Sequence, residues 1–230
     1  MQQNPLRSLT QQLGVKFENE ALLEQALTHR SAAAVNNERL EFLGDGILNF
    51  VIAGQLFEQY PDMSEGDMSR LRANLVNKDS LADIARELKL GDVIKLGSGE
   101  MKSGGHRRSS ILADAVESIL GAVYRDLGFE ACKALILRLY TEKLENIPDA
   151  QSLKDPKTRL QELLQSRRIP IPVYEVLRVT GKAHNQQFRV ECRIDMLDCV
   201  TTAEGGSRRK AEQLAAEKAI AQVTEKIASR

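Results

Sequence analysis

Residues 38–57 read ERLEFLGDGILNFVIAGQLF, and residues 109–124 read SSILADAVESILGAVY. Both are helical in period, and both carry acids on one face and apolar residues on the other. At about 100° per residue, Glu38, Glu41 and Asp45 fall within roughly 60° of one another. Leu40, Leu43, Ile47 and Val51 point the other way. The second segment repeats the plan, with Asp114 and Glu117 one turn apart and opposed to Leu112, Val116, Ile119 and Val123. Carboxylates on the inner edges of packed helices repel and resist desolvation, so they call for a compensating cation. A metal-dependent hydrolytic site is the reading that follows.

Around these segments the helical period dominates, with helices expected over residues 6–13, 19–27, 38–59, 65–76, 78–88, 110–127 and 130–145. Strand signals are scarce before Tyr140, which implies an all-helical first domain over residues 1–147. The run GSGEMKSGGHRR at residues 97–108 reads as a glycine-rich loop before the second acidic helix. Lys102, Arg107 and Arg108 within it are candidates for phosphate contact, with a plain flexible loop as the other reading.

Residues 148–154 form a short polar linker. After it the pattern changes. Asp155-Pro156 is an N-cap followed by proline at the first helical position, opening KTRLQELLQSR. Three strand-like segments follow: VYEVLRVTG, NQQFRVECRID and CVTTAEG. Gly205-Gly206-Ser207 then leads into a last helix. Residues 155–230 thus read α-β-β-β-α, an α+β domain behind an all-α one.

Composition narrows the function classes. Hydrophobic content of 42% and charged content of 28% suit a soluble globular protein. The N-terminal residues lack a basic n-region and an apolar h-region, so no signal peptide is expected. No apolar run is expected to reach the roughly 20 residues of a membrane span. Cys132, Cys192 and Cys199 are odd in number and lack zinc spacing, which favours reduced thiols and a cytoplasmic setting. The balanced total charge conceals an asymmetry. Residues 155–230 carry 14 Lys and Arg against 10 Asp and Glu, whereas residues 1–154 carry 18 against 22. An acidic catalytic unit joined to a basic binding unit would divide this way.

The motifs are specific enough to carry a resemblance. ERLEFLGDGIL, GDMSRLRANLV and KSGGHRRSSILADAVESILGAVY resemble successive blocks of the ribonuclease III endonuclease domain. DPKTRLQELLQ, GKAHNQQF and GGSRRKAEQLAAEKA resemble a double-stranded-RNA-binding domain. The likeness covers nearly the whole chain, in the order of a bacterial ribonuclease III. It implies a homodimer that cleaves double-stranded RNA with Mg²⁺, Mn²⁺ being able to substitute, and that needs no small-molecule cofactor or membrane. The products would be 5′-phosphate and 3′-hydroxyl ends with a short 3′ overhang. Precursor ribosomal RNA and structured messages are the substrates implied.

By that resemblance the metal residues are Glu41, Asp45, Asp114 and Glu117, with Asp45 and Glu117 catalytic and Glu38 and Glu65 as outer acids. Mg²⁺ prefers oxygen ligands and keeps several waters, which suits such a set. A di-iron bundle needs Glu-x-x-His pairs, and His29, His106 and His184 do not supply them. His29 is a candidate general base or a packing residue. Phe42 either packs in the core or enters a partner subunit. Gly46 stands where the family usually has serine, which puts the positioning of Asp45 in doubt; a helical glycine costs about 1 kcal/mol against alanine.

In the tail, Ser207, Arg208, Arg209 and Lys210 cluster cations at the positive end of a helix dipole, suited to phosphates. Gln161 and Glu162 on the first tail helix, and His184 between the first two strand-like segments, are placed by the resemblance at minor grooves. Aromatic residues are only 4% of the chain, too few for a single-strand stacking platform, so duplex shape is the expected target. The alternative function is a duplex-RNA-binding regulator that does not cleave.

Overall fold

The computed structural model describes residues 5–147, 154–182 and 185–228. The chain divides into two compact units at residues 148 and 149. The first is helical: α1 (Pro5–Leu13), α2 (Glu20–Ala26), α3 (Glu38–Gln59), α4 (Glu65–Leu75), α5 (Lys78–Glu87), α6 (Ser98–Lys102), α7 (Ser109–Leu139) and α8 (Thr141–Glu145). Side-chain caps open several of them, with Asn19, Ser64 and Asn77 each accepting a backbone N–H of the following turn. The glycine-rich run is more ordered than the sequence suggests. It folds into α6 and a 3₁₀ turn at Gly105–Arg107.

The core of this unit is the packing of α3 on α7. Leu48, Ile52 and Leu56 of α3 are fully buried, as are Leu120, Ala122 and Val123 of α7. By length and composition α3 is apolar enough to cross a membrane, with a mean hydropathy of 1.3 over its most apolar stretch. That corrects the expectation that no segment approaches a span; the same apolarity is what a core helix requires. Gly44 and Gly121 set how closely the two helices approach. A Cβ on Gly44 would run into the Glu117 carbonyl oxygen, and one on Gly121 into that of Leu40. Ser118, wholly buried, donates to the Asp114 carbonyl at 2.7 Å and to the Asn37 carbonyl at 3.3 Å. The start of α3 is thereby tied to the acidic turn of α7. Gly128 breaks α7 with φ of 82°, the interruption expected between residues 127 and 130.

The second unit has the expected order: α9 (Pro156–Ser166), β1 (Val173–Thr180), β2 (Gln187–Ile194), β3 (Cys199–Gly205) and α10 (Arg208–Ala228). The sheet is antiparallel in the order β1-β2-β3. Leu160 and Leu164 of α9 and Ala215, Ala216, Ala219 and Val223 of α10 pack on Cys192, Ile194, Cys199 and Ala203 of the sheet. Alternation along β3 places Cys199, Thr201 and Ala203 inward. The Asp155 side chain accepts the Thr158 N–H, and Pro156 stands at the first helical position. The expected linker, residues 148–153, lies outside the described residues. Lys154 does not behave as linker, because its side chain is buried against α9.

Candidate active site and RNA-binding face

The close crossing of α3 and α7 brings Glu41, Asp114 and Glu117 together, with one carboxylate oxygen of each within 4.8 Å of the others. All three are half-buried. Burial pushes the Glu41 carboxyl above its ordinary value, and the charges of Asp114, Glu38 and Asp45 add to it against an opposing Arg30. Asp114 is raised by burial, with His29 and Arg30 pulling the other way. Glu117 is pushed up to about 8, first by burial and then by Asp45, Glu41 and Asp114. Carboxylates arranged this way are strained without a cation and relieved with one. An all-oxygen donor set fits a hard divalent ion.

Asp45 stands beside this group rather than within it. Its carboxylate accepts a hydrogen bond from Asn49 Nδ2 at 2.7 Å, while its charge reaches Glu117. Glu38 is exposed and paired with Arg30 at 3.3 Å. Glu65 is separated from the cluster. It opens α4 beside Phe57, accepting from Ser69 Oγ at 2.7 Å, and Phe57 lies about 24 Å along α3 from Glu41. Periodicity within single helices could not reveal this, since it says nothing of which helix ends meet.

A cleft of about 410 Å³ adjoins the cluster, lined by His29, Arg30, Glu38, Glu41, Arg108 and Asp114 among others. His29 Nδ1 lies 2.8 Å from Ser31 Oγ and accepts the Ser31 N–H at 3.1 Å. Nδ1 is thus engaged in holding its own loop. Arg108 is paired with Glu100 at 3.0 Å, while Lys102 and Arg107 are exposed. Sequence reading missed Gly44, Gly121, Ser118 and Asn49. A glycine on the acidic side of each helix was the one available signal.

Phe42 is not a core residue: it is 84% exposed, and Phe50 and Phe57 follow at 68% and 69%. Phe50 contacts the Phe129 ring at 5.9 Å between centroids. Phe42, Gly46, Phe50, Tyr124 and Phe129 line an open apolar groove of about 370 Å³. Gly46 has nothing within 4 Å of where its Cβ would be, so its side faces this groove rather than the acids.

In the second unit Gln161 and Glu162 are exposed on α9, and Ser207, Arg208, Arg209 and Lys210 are exposed at the start of α10. Ser207 Oγ accepts the Lys210 N–H at 3.2 Å. Glu212, largely buried, holds Arg208 Nε at 2.8 Å and Lys157 Nζ at 2.6 Å. Gln213 donates to Asp155 at 2.8 Å and accepts the Lys157 N–H at 3.0 Å. These bonds lock α9 to α10. His184 lies outside the described residues.

Residues 19–144 match the family described as ribonuclease-III-like, and residues 156–223 match the double-stranded RNA binding motif. Ribonuclease 3 of Vibrio vulnificus strain CMCP6 is 57% identical over 221 residues, covering 96% of this chain and 98% of that protein. The chain belongs to the ribonuclease III family. Ribonuclease 3 of Alkalilimnicola ehrlichii is 56% identical over 224 residues, covering 96% and 97% of the two chains. The crystal structure of the nuclease domain of ribonuclease III from Campylobacter jejuni is similar at 44% identity and a TM-score of 0.60, covering 64% of this chain and all of that one. This ribonuclease III-type chain is an endoribonuclease acting on double-stranded RNA. It joins an all-α nuclease domain to an α+β double-stranded-RNA-binding domain.

Proposed function

We propose that the chain hydrolyses phosphodiester bonds in duplex RNA with Mg²⁺ held by Glu41, Asp114 and Glu117, with Asp45 alongside. Mn²⁺ is the natural substitute, being content with the same oxygen ligands. The observation that carries this is the convergence of three carboxylates within 4.8 Å. Bound there, the ion supplies Lewis-acid polarisation of the phosphodiester and acidification of water. The chain's own contribution is placement and proton control. Without a cation, Glu117 keeps its proton up to about pH 8; with one, it becomes a carboxylate that can accept a hydrogen bond from the attacking water. Asn49 fixes the Asp45 carboxylate beside this group without neutralising it. Glu38 has a supporting role through its tie to Arg30, whereas Glu65 stands apart from this cluster beside Phe57.

The substrate is held by the second domain. Arg208, Arg209, Lys210 and Ser207 meet phosphates, while Gln161, Glu162 and His184 meet the minor groove, where 2′-hydroxyls are displayed. A homodimer forms through the apolar stripe of α3 centred on Phe42, and each subunit cuts one strand. The exposure of Phe42, Phe50 and Phe57 supports this, as does a related Campylobacter jejuni structure whose nuclease domain has a region involved in dimer formation. The products are 5′-phosphate and 3′-hydroxyl ends with a short 3′ overhang. Ribosomal RNA precursors and structured messages are the proposed substrates. The three free, buried cysteines suit a reducing cytoplasm.

The test is incubation of the purified protein with a long RNA duplex, with Mg²⁺ and with chelator, followed by end mapping. Cleavage should require the metal and leave phosphorylated 5′ ends. Glu117→Gln should abolish it while largely sparing RNA binding. Duplex binding without metal-dependent cutting would overturn the proposal.

A further inference from the structure

Lys154 precedes the N-cap of α9 and is only 8% exposed. Its Nζ donates to both oxygens of Glu162, at 2.9 and 2.7 Å. Glu162 itself is 45% exposed, next to Gln161 on the outward face of α9. The pair therefore has its cation inside and its anion outside. A carboxylate is an awkward group to press against a polyanion, because each nearby phosphate repels it. Pairing from within removes that repulsion without removing the acceptor. An ionised carboxylate has about four lone-pair sites. Lys154 takes one on each oxygen from the buried side, leaving the outward ones for a donor.

We propose that Lys154 is a positioning residue that turns Glu162 into a neutralised, fixed acceptor for ribose 2′-hydroxyls, and so sets the preference for RNA over DNA duplexes. The inference rests on the reading that Glu162 meets the minor groove. The 2′-hydroxyl is both donor and acceptor and is absent from DNA. A fixed carboxylate gains a charge-assisted bond from it and gains nothing from a deoxyribose. Burial makes the arrangement rigid: an ammonium out of water is held where its anion is, so the Glu162 oxygens do not wander.

The experiment compares the full-length parent with Lys154→Met, Glu162→Gln and the double variant. Binding to a short defined RNA duplex, and to a DNA duplex of the same sequence, is followed by fluorescence anisotropy in chelator at about 0.1 M salt. Glu162→Gln should weaken RNA binding about 2- to 5-fold, and Lys154→Met about tenfold, since it leaves a bare carboxylate facing phosphates. The double variant should recover to within about twofold of Glu162→Gln. Lys154→Met should also bring RNA and DNA affinities closer together. If Glu162→Gln weakens binding but Lys154→Met equals the parent, or is not rescued in the double variant, the minor-groove reading stands and this inference falls. If Glu162→Gln binds RNA like the parent, the minor-groove reading fails and takes the inference with it. Should Lys154→Met not fold, Lys154→Gln takes its place: a loss larger than that of Glu162→Gln, rescued when the two are combined, supports the proposal, and parental affinity or an unrescued loss overturns it.

Discussion

Replacing Glu117 by glutamine should stabilise the metal-free protein even as it destroys catalysis. Glu117 titrates at about 8 in the fold instead of its ordinary 4.5, because it is half-buried and faces Asp45, Glu41 and Asp114. The folded state therefore binds this proton more tightly than the unfolded chain does. The contribution of this group to stability is greatest below about pH 4.5 and falls as pH rises toward 8, where the folded group finally ionises. At pH 7 the shift corresponds to about 3 kcal/mol at face value, and solvent screening of a part-exposed group reduces that to about 1–2 kcal/mol. Glutamine keeps the shape and carries no titratable proton, so Glu117→Gln should lack this slope. Urea denaturation in chelator should find the variant about 1–2 kcal/mol more stable than the parent at pH 7, with the gap closing near pH 4.5. Saturating Mg²⁺ should reverse the order, because the parent gains binding energy that the variant largely forgoes. Equal stabilities at pH 7 in chelator, or a less stable variant, would refute the claim that burial and the neighbouring acids hold the Glu117 proton in the metal-free fold.

Other consequences are as direct. Gly44→Ala should cost about 2–3 kcal/mol and weaken Mg²⁺ binding measured by calorimetry, since the new methyl must push α3 off the Glu117 carbonyl; unchanged stability would mean the helices have slack. Phe42→Ala with Phe50→Ala should raise the dimer dissociation constant at least about 100-fold in sedimentation equilibrium, and no change would remove the α3 stripe as the interface. Replacing Arg208, Arg209 and Lys210 together by alanine should lower the slope of log affinity against log salt by about 2–3; an unaltered slope would place the phosphate contacts elsewhere. Gly46→Ala should gain about 0.5–1 kcal/mol in urea denaturation of the monomer without loss of turnover at saturating dimer concentration, because its Cβ meets no atom of its own chain. A drop in turnover would return Gly46 to the site.

Much of the fold is legible in the chain because its signals are local. Apolar period places α3 and α7, Asp155-Pro156 announces α9, and alternation along residues 185–205 marks β2 and β3. Gly128 interrupts α7 where the helical pattern lapses. The acidic residues could likewise be assigned to faces, since a face is a property of one helix. What could not be read is whatever depends on two elements meeting. Both readings of Phe42 suited the same helix, and its exposure beside Phe50 removes the core one. The glycine-rich run looked like a loop because α6 is too short to announce itself by period.

The element order, the two-domain plan, the family and the acids available for a site are all written in local spacing along the chain. Which of those acids converge is a matter of how the helices pack. Gly44 and Gly121 let α3 and α7 approach closely, and that approach draws Glu41 to Asp114 and Glu117 while leaving Asp45 to Asn49 and Glu65 at the far end of the helix. Packing also ties Lys154, just ahead of α9, to Glu162 of that helix and not to a linker. The reason is physical: repulsion and burial act through space over a few ångströms, and a one-dimensional pattern does not contain those distances.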